Sequence, residues 1–114
     1  MERLKTGKRA AGSGKRSPKI ADLHERIADA VASGHYIVSN HAYERAHDRL
    51  IPIPHVEHIL LHGFHEKRKD TFKEEFIAWN YSIRGKSPDR VNVRVVVTFT
   101  ENDLLVVTVI NLDR

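Results

Sequence analysis

At Gly63 the hydrophobic period of this chain changes, and that change restricts the possible folds more than any other feature. Upstream, apolar residues recur every three or four positions: Ile20, Leu23, Ile27, Ala30 and Val31, then Ala42, Ala46 and Leu50, then Val56, Ile59 and Leu60. That spacing lays a stripe along one side of a helix. Downstream the spacing is twofold. Ile77, Trp79, Tyr81 and Ile83 alternate with Phe76, Ala78, Asn80 and Ser82, and Val93, Val95, Val97 and Phe99 alternate with Asn92, Arg94, Val96 and Thr98. Twofold alternation marks strands with two unlike faces. Helices gathered in one half and strands in the other define an α+β chain, in which the helices must cover one face of the sheet. The predicted architecture is three N-terminal helices packed on one face of a four-stranded antiparallel sheet, leaving the other face free for a ligand.

Local signals set the expected boundaries. Ser17-Pro18 opens the first helix and Gly34 closes it. Residues 36–38 are a short apolar bridge to a second helix capped by Ser39. Pro52 and Pro54 forbid its continuation, and Pro54 opens a third helix that ends at Gly63. Strands are expected over residues 64–69, 75–83, 91–100 and 104–112, with turns at residues 70–71 and 101–103 and a loop over residues 85–89. The first, with His65 and Lys67-Arg68-Lys69, is polar enough to be a solvated edge; the last two are apolar on both faces for much of their length, so they belong inside the sheet.

Charge divides the chain. Seven of the 19 basic residues lie in the first 19 positions, opposed there only by Glu2; the remainder holds 12 basic against 14 acidic residues, a net of −2. Residues 1–17 read as a disordered basic tail and residues 18–114 as a single domain. A diffuse basic surface for nucleic acid is therefore not expected on the domain, and any anion site must come from locally arranged residues. The chain has no cysteine, which excludes disulfides and cysteine-ligated metals and fits a reducing, cytoplasmic compartment. No apolar run is long enough to span a bilayer.

One local arrangement stands out. His41, Arg45 and Arg49 recur every four residues in the second helix and share a face, beside the small apolar stripe of Ala42 and Ala46. An imidazole followed by two guanidiniums is suited to holding a phosphate. A rival reading takes His55, His58 and His62 on the third helix, where the last two have the i, i+4 spacing of a metal pair. No carboxylate stands where a zinc-protease motif needs one, so an exposed histidine face is the preferred account, with no metal and no cofactor assigned.

The residues also resemble a known family. Ser39, His41, Ala42, Arg45, Arg49 and Ile51, followed by Trp79, Tyr81, Ile83 and Gly85 and by the terminal Val107-Thr108-Val109, are similar to proteins of the bacterial domain of unknown function 4258. That family usually carries glycine where Leu50 stands here. The resemblance implies a small fold of the class shared by RelE-like toxins, barnase and colicin-type nucleases. It further implies an antitoxin protein as partner, frequently one with a zinc finger, and RNA or the ribosome as target. On that footing the expected activity is metal-independent endoribonucleolytic cleavage by attack of the 2′-hydroxyl. His41 would serve as base, Arg45 and Arg49 as phosphate ligands, Tyr81 and Arg84 as further donors, and Thr108 as a group that orients the histidine or binds substrate. The alternative is a non-catalytic module that binds nucleic acid or an acidic protein. Under that alternative the face bearing Arg45 and Arg49 recognises the partner; in a purely structural reading the two arginines pair with Glu44, Asp48 or Glu75, and Tyr81 is core.

Overall fold

The computed structural model describes residues 16–114; residues 1–15 of the expected tail lie outside the described residues. The elements are α1 (Leu23–Ser33), β1 (Tyr36–Val38), α2 (Asn40–Asp48), α3 (Ile53–His62), β2 (Phe64–His65), β3 (Thr71–Lys73), β4 (Ala78–Lys86), β5 (Asn92–Phe99) and β6 (Leu104–Asn111), with a 3-10 turn at Lys67–Lys69. Three helices pack on a mixed six-stranded sheet of order β1-β6-β5-β4-β2, with β3 also paired to β4. The α+β class is as expected, but the sheet is neither four-stranded nor purely antiparallel.

Two additions account for the difference. Residues 36–38, expected as a bridge, form β1 and pair in parallel with Leu104–Val106 of β6. Three residues are too few to carry a period, and their partner lies at the far end of the chain. The expected edge strand over residues 64–69 is also broken. Only Phe64 and His65 pair with β4, and the chain resumes pairing as β3. In the gap a side chain stands in for half of the ladder: Ser82 N–H donates to Asp70 Oδ1 (2.9 Å), while Ser82 C=O still accepts from the backbone N–H of Glu66 (2.8 Å). No backbone polar group of Ser82 is left unpaired by the interruption.

Smaller shifts have local causes. Residues 17–20 do not join the first helix, which starts at Leu23. They form a strap across β4, where Trp79 Nε1 donates to Ser17 C=O (2.7 Å) and Ile20 N–H donates to the Tyr81 hydroxyl (3.0 Å). Strand β4 starts at Ala78 because residues 74–77 make the turn from β3; Ile77 has φ 49° and is exposed rather than facing the core. At its other end β4 runs on through Gly85 and Lys86, which pair with Val93 and Asn92 where a loop was expected. The turn over residues 101–103 and the interior position of β5 and β6 match expectation.

Helix residues Ile27, Val56, Ile59 and Leu60 meet Tyr81, Ile83, Val93, Val95, Val97, Leu104, Val106 and Val109 in one core. Ala42 and Ala46 of α2 are fully buried, and such small side chains let the helix lie close to its neighbours. The end of α3 lies closer still to β4: a Cβ on Gly63 would stand 2.6 Å from the carbonyl oxygens of Arg84 and Ile59. On the face away from the helices, the register sets Ser82, Val96 and Thr108 in one row and Arg84, Arg94 and Ile110 in the next. A bulge between these strands, at Val96/Val97, leaves Val107 without a direct partner.

Both α1 and α2 end in the same hydrogen-bonded motif. After α1, His35 N–H returns to Ala30 C=O and Gly34 N–H to Val31 C=O; after α2, Ile51 N–H returns to Ala46 C=O and Leu50 N–H to His47 C=O. The motif requires a left-handed residue, which is Gly34 (φ 76°) in one case and Leu50 (φ 59°) in the other. Leu50 is 78% exposed, so its side chain adds little packing to offset the strain. Leu50→Gly is expected to stabilise the fold by about 1 kcal/mol, read as a higher urea midpoint with an unchanged slope. A lower midpoint would mean that the leucine makes a contact worth more than its backbone costs.

Candidate functional site

Ser39 places α2 twice over. Its Oγ accepts from Ala42 N–H (3.0 Å) and caps the helix, as expected. Its own N–H donates to Val106 C=O (3.1 Å) and its Oγ to Val107 C=O (3.3 Å), which fixes the helix start against the bulge in β6. With Ala42 and Ala46 turned into the core, His41 and Arg45 are exposed and Arg49 is half-buried. The recorded ion pair of Arg45 is a 3.9 Å contact to exposed Asp48, at the limit of such an interaction and worth little in water. Among the described residues, neither Glu44 nor Glu75 pairs with Arg45 or Arg49.

The strand residues expected to complete the site lie elsewhere. Tyr81 is buried on the helix-facing side of β4, where its hydroxyl holds the strap and its ring meets His65 edge-on at 5.7 Å. His65 Nε2 in turn contacts Asp70 Oδ2 (2.7 Å), and the fully buried Asp70 carboxylate also receives Lys19 Nζ (2.9 Å). This is a clip that ties the strap to the sheet. Strand β5 separates β4 from β6, so Tyr81 stands two strand spacings, roughly 10 Å, from the strand that carries α2. Thr108 directly follows Val107, beside the seat of Ser39, but it faces the side away from the helices. Arg84 lies on that outer face too. The structure thus keeps His41, Arg45 and Arg49 together on α2 and sets Tyr81, Arg84 and Thr108 apart from them, Thr108 by the face of its strand.

Arg84 belongs to a cluster that sequence reasoning missed. Glu66, only 7% exposed, accepts from Arg94 Nε (Oε1, 2.9 Å) and from Arg84 Nη1 (Oε2, 3.4 Å). The Arg94 hydrogen bond, helped by Arg84, holds the Glu66 carboxyl below its ordinary range despite burial. Arg94 was assigned correctly to the polar side of its strand. Its partner lies 28 residues upstream in what was expected to be a solvated edge. Glu66→Ala should leave two guanidiniums facing each other and cost about 2 kcal/mol, toward the low side for a broken buried pair because Arg84 still reaches water. Since the folded-state pKa is depressed, this stability is present above the ordinary carboxyl value of 4.5 and is lost as pH falls through the folded value. Urea melts of wild type and Glu66→Gln should therefore converge on acidification; a constant gap would show that the carboxylate charge is not responsible.

Elsewhere the surface offers less. A cleft of about 210 Å³ opens between the end of α1 and the β5–β6 turn, lined among others by Arg26, Asp29, His35 and Asp103. The rings of His58 and His62 stand 4.7 Å apart, while His55 turns to Asp89 (3.9 Å). Among the described residues, no group of three or more histidine or acidic side chains is placed to hold a metal ion. No helix among them is long and apolar enough to cross a membrane.

A family model described as a domain of unknown function, DUF4258, matches residues 38–111. The match runs from the last residue of β1 to the last residue of β6 and takes in α2, α3 and strands β2 to β6. No curated protein and no solved structure shows significant similarity to the chain.

Proposed function

From the premise that the chain belongs to the DUF4258 family, we propose that it is a toxin-type endoribonuclease of the RelE-like and barnase-like fold class, acting through the outer face of α2. The observation that carries this reading is the presentation of α2. Ser39, Ala42 and Ala46 fix one side of the helix to β6, while His41 and Arg45 are exposed along it and the half-buried Arg49 follows at its C-cap. In the proposed reaction His41 takes the proton of a ribose 2′-hydroxyl, whose oxygen attacks the adjacent phosphorus. The bond to the 5′-oxygen breaks, that oxygen takes a proton from solvent, and a 2′,3′-cyclic phosphate remains. Arg45 and Arg49 hold the charge that accumulates on the phosphate oxygens, which fixed cationic donors do best in a preorganised array. Tyr81 has no part in this scheme, because its hydroxyl is engaged by the strap.

The proposed partner is an antitoxin protein that covers α2, and the proposed target is RNA, free or on the ribosome. Inducible expression of wild type, His41→Ala and Arg45→Ala in a bacterium tests the reading. Wild type should arrest growth and fragment RNA, and the variants should not. If wild type neither slows growth nor changes RNA, with or without ribosomes, the enzyme reading loses its basis. The separation of Tyr81 and Arg84 from α2 favours a second reading, a non-catalytic nucleic-acid module. It predicts salt-sensitive binding without product, with His41→Ala behaving as wild type.

A further inference from the structure

We propose that the sheet face opposite the helices carries a second RNA contact, in which Arg84 and Arg94 hold a phosphodiester of a single strand and Phe64 stacks on a neighbouring base. The choice of RNA rests on the function proposed above; the site itself is separate from α2 and is drawn from different residues.

Arg84 and Arg94 are direct partners across β4 and β5, an arrangement that places their Cβ atoms roughly 5 Å apart. Like charges in that position repel. Glu66 offsets one of the two, but the cluster keeps a net positive charge on a face where three apolar side chains would serve stability as well. The carboxylate takes Nε of Arg94 and Nη1 of Arg84. Among the described residues, no hydrogen bond occupies the Nη groups of Arg94 or the second Nη of Arg84. Both side chains reach solvent, Arg84 at 37% and Arg94 at 16% exposure. Glu66 therefore acts as a brace that fixes two guanidinium forks side by side, the arrangement that matches phosphate oxygens in pairs. Asp113, at the end of the same face, accepts from Asn92 and lies within electrostatic reach of both Lys86 and Arg84, so these outer charges still sum to a net positive.

Phe64 supplies the second element. It is the register partner of Arg84, lies on the same face, and is 58% exposed. An exposed ring beside an arginine pair offers a base a stacking platform while its phosphate is held, and such stacking tolerates any base. In duplex RNA the bases are stacked on each other and withheld from a side-chain platform, so the site selects single strands.

Fluorescence anisotropy of a labelled 2′-O-methyl oligouridine, which cannot be cleaved by 2′-hydroxyl attack, tests the proposal at low salt. Phe64→Ala, a surface change, should weaken binding about tenfold. Arg84→Gln should weaken it about tenfold and lower the salt slope by about one. The charge-balanced pair Glu66→Gln with Arg94→Gln removes the brace and one fork without leaving a buried charge, and should weaken binding about tenfold with its urea midpoint measured alongside. Duplex of the same chemistry should compete poorly. Wild-type affinity in both Phe64→Ala and Arg84→Gln, or no binding by wild type, overturns the proposal. The function proposed for α2 is decided separately, by whether wild type cleaves unmodified RNA and His41→Ala does not.

Discussion

His41→Ala is expected to slow cleavage of single-stranded RNA by about 10²- to 10⁴-fold, the usual contribution of a positioned proton-transfer group. It should do so without unfolding the protein. His41 is exposed in the first turn of α2, and the helix is fixed by the Ser39 cap and the buried Ala42 and Ala46, none of which the substitution touches. Its urea midpoint should stay within the equivalent of about 0.5 kcal/mol of wild type. Arg45→Ala should also lower the rate, since its loose contact to Asp48 gives the fold little to lose. Rates should be compared on unmodified RNA under single-turnover conditions. A His41→Ala protein that cleaves at the wild-type rate would remove the histidine from the chemistry, whatever the arginines do.

Gly63→Ala is expected to cost about 3 kcal/mol, at the upper end for overpacking. The backbone of Gly63 (φ −77°, ψ −176°) is open to any residue, so the cost is steric alone. A methyl group there meets two carbonyl oxygens at 2.6 Å, one at the end of α3 and one in β4, and neither is a side chain that can swing aside. Gly85→Ala provides the control: its Cβ would stand 3.1 Å from Gly63 Cα and 3.4 Å from Ile59 Cδ1, so a smaller loss is expected. The clash at Gly63 falls on the carbonyl of Arg84, so any relaxation moves the strand that carries one of the two outer arginines. Denaturant melts of both variants settle the order; equal losses would point to a general loosening of α3 rather than to this contact.

Gly63 is also where the sequence was most readable, because its loss of period marks the end of the last helix and its missing side chain permits the turn onto the sheet. The α+β class, the cap at Ser39, the stop after Gly34 and the central position of β5 and β6 were legible for the same reason: each depends on residues close in sequence. Pairings across the chain were not. Strand β1 shows itself only through β6, and the break between β2 and β3 depends on carboxylates of Glu66 and Asp70 meeting Ser82 and two arginines. For the candidate site, spacing was enough to set His41, Arg45 and Arg49 on one helix face. The expected strand ended at residue 83, one short of Arg84, and its alternation could not say which side the helices cover or how far β4 lies from β6. The clustering of Arg84 with Arg94 had no sequence signal beyond a charge in an apolar strand.

The seat of α2 has a consequence for how such a protein is made. Ser39 rests on Val106 and Val107, and β1 finds its strand partner in residues 104–106, all synthesised well after the helix they support. Until β6 has cleared the ribosome, the helix that presents His41 and the arginines has no platform to sit on. The order of synthesis thus delays assembly of that surface until β6 has been made.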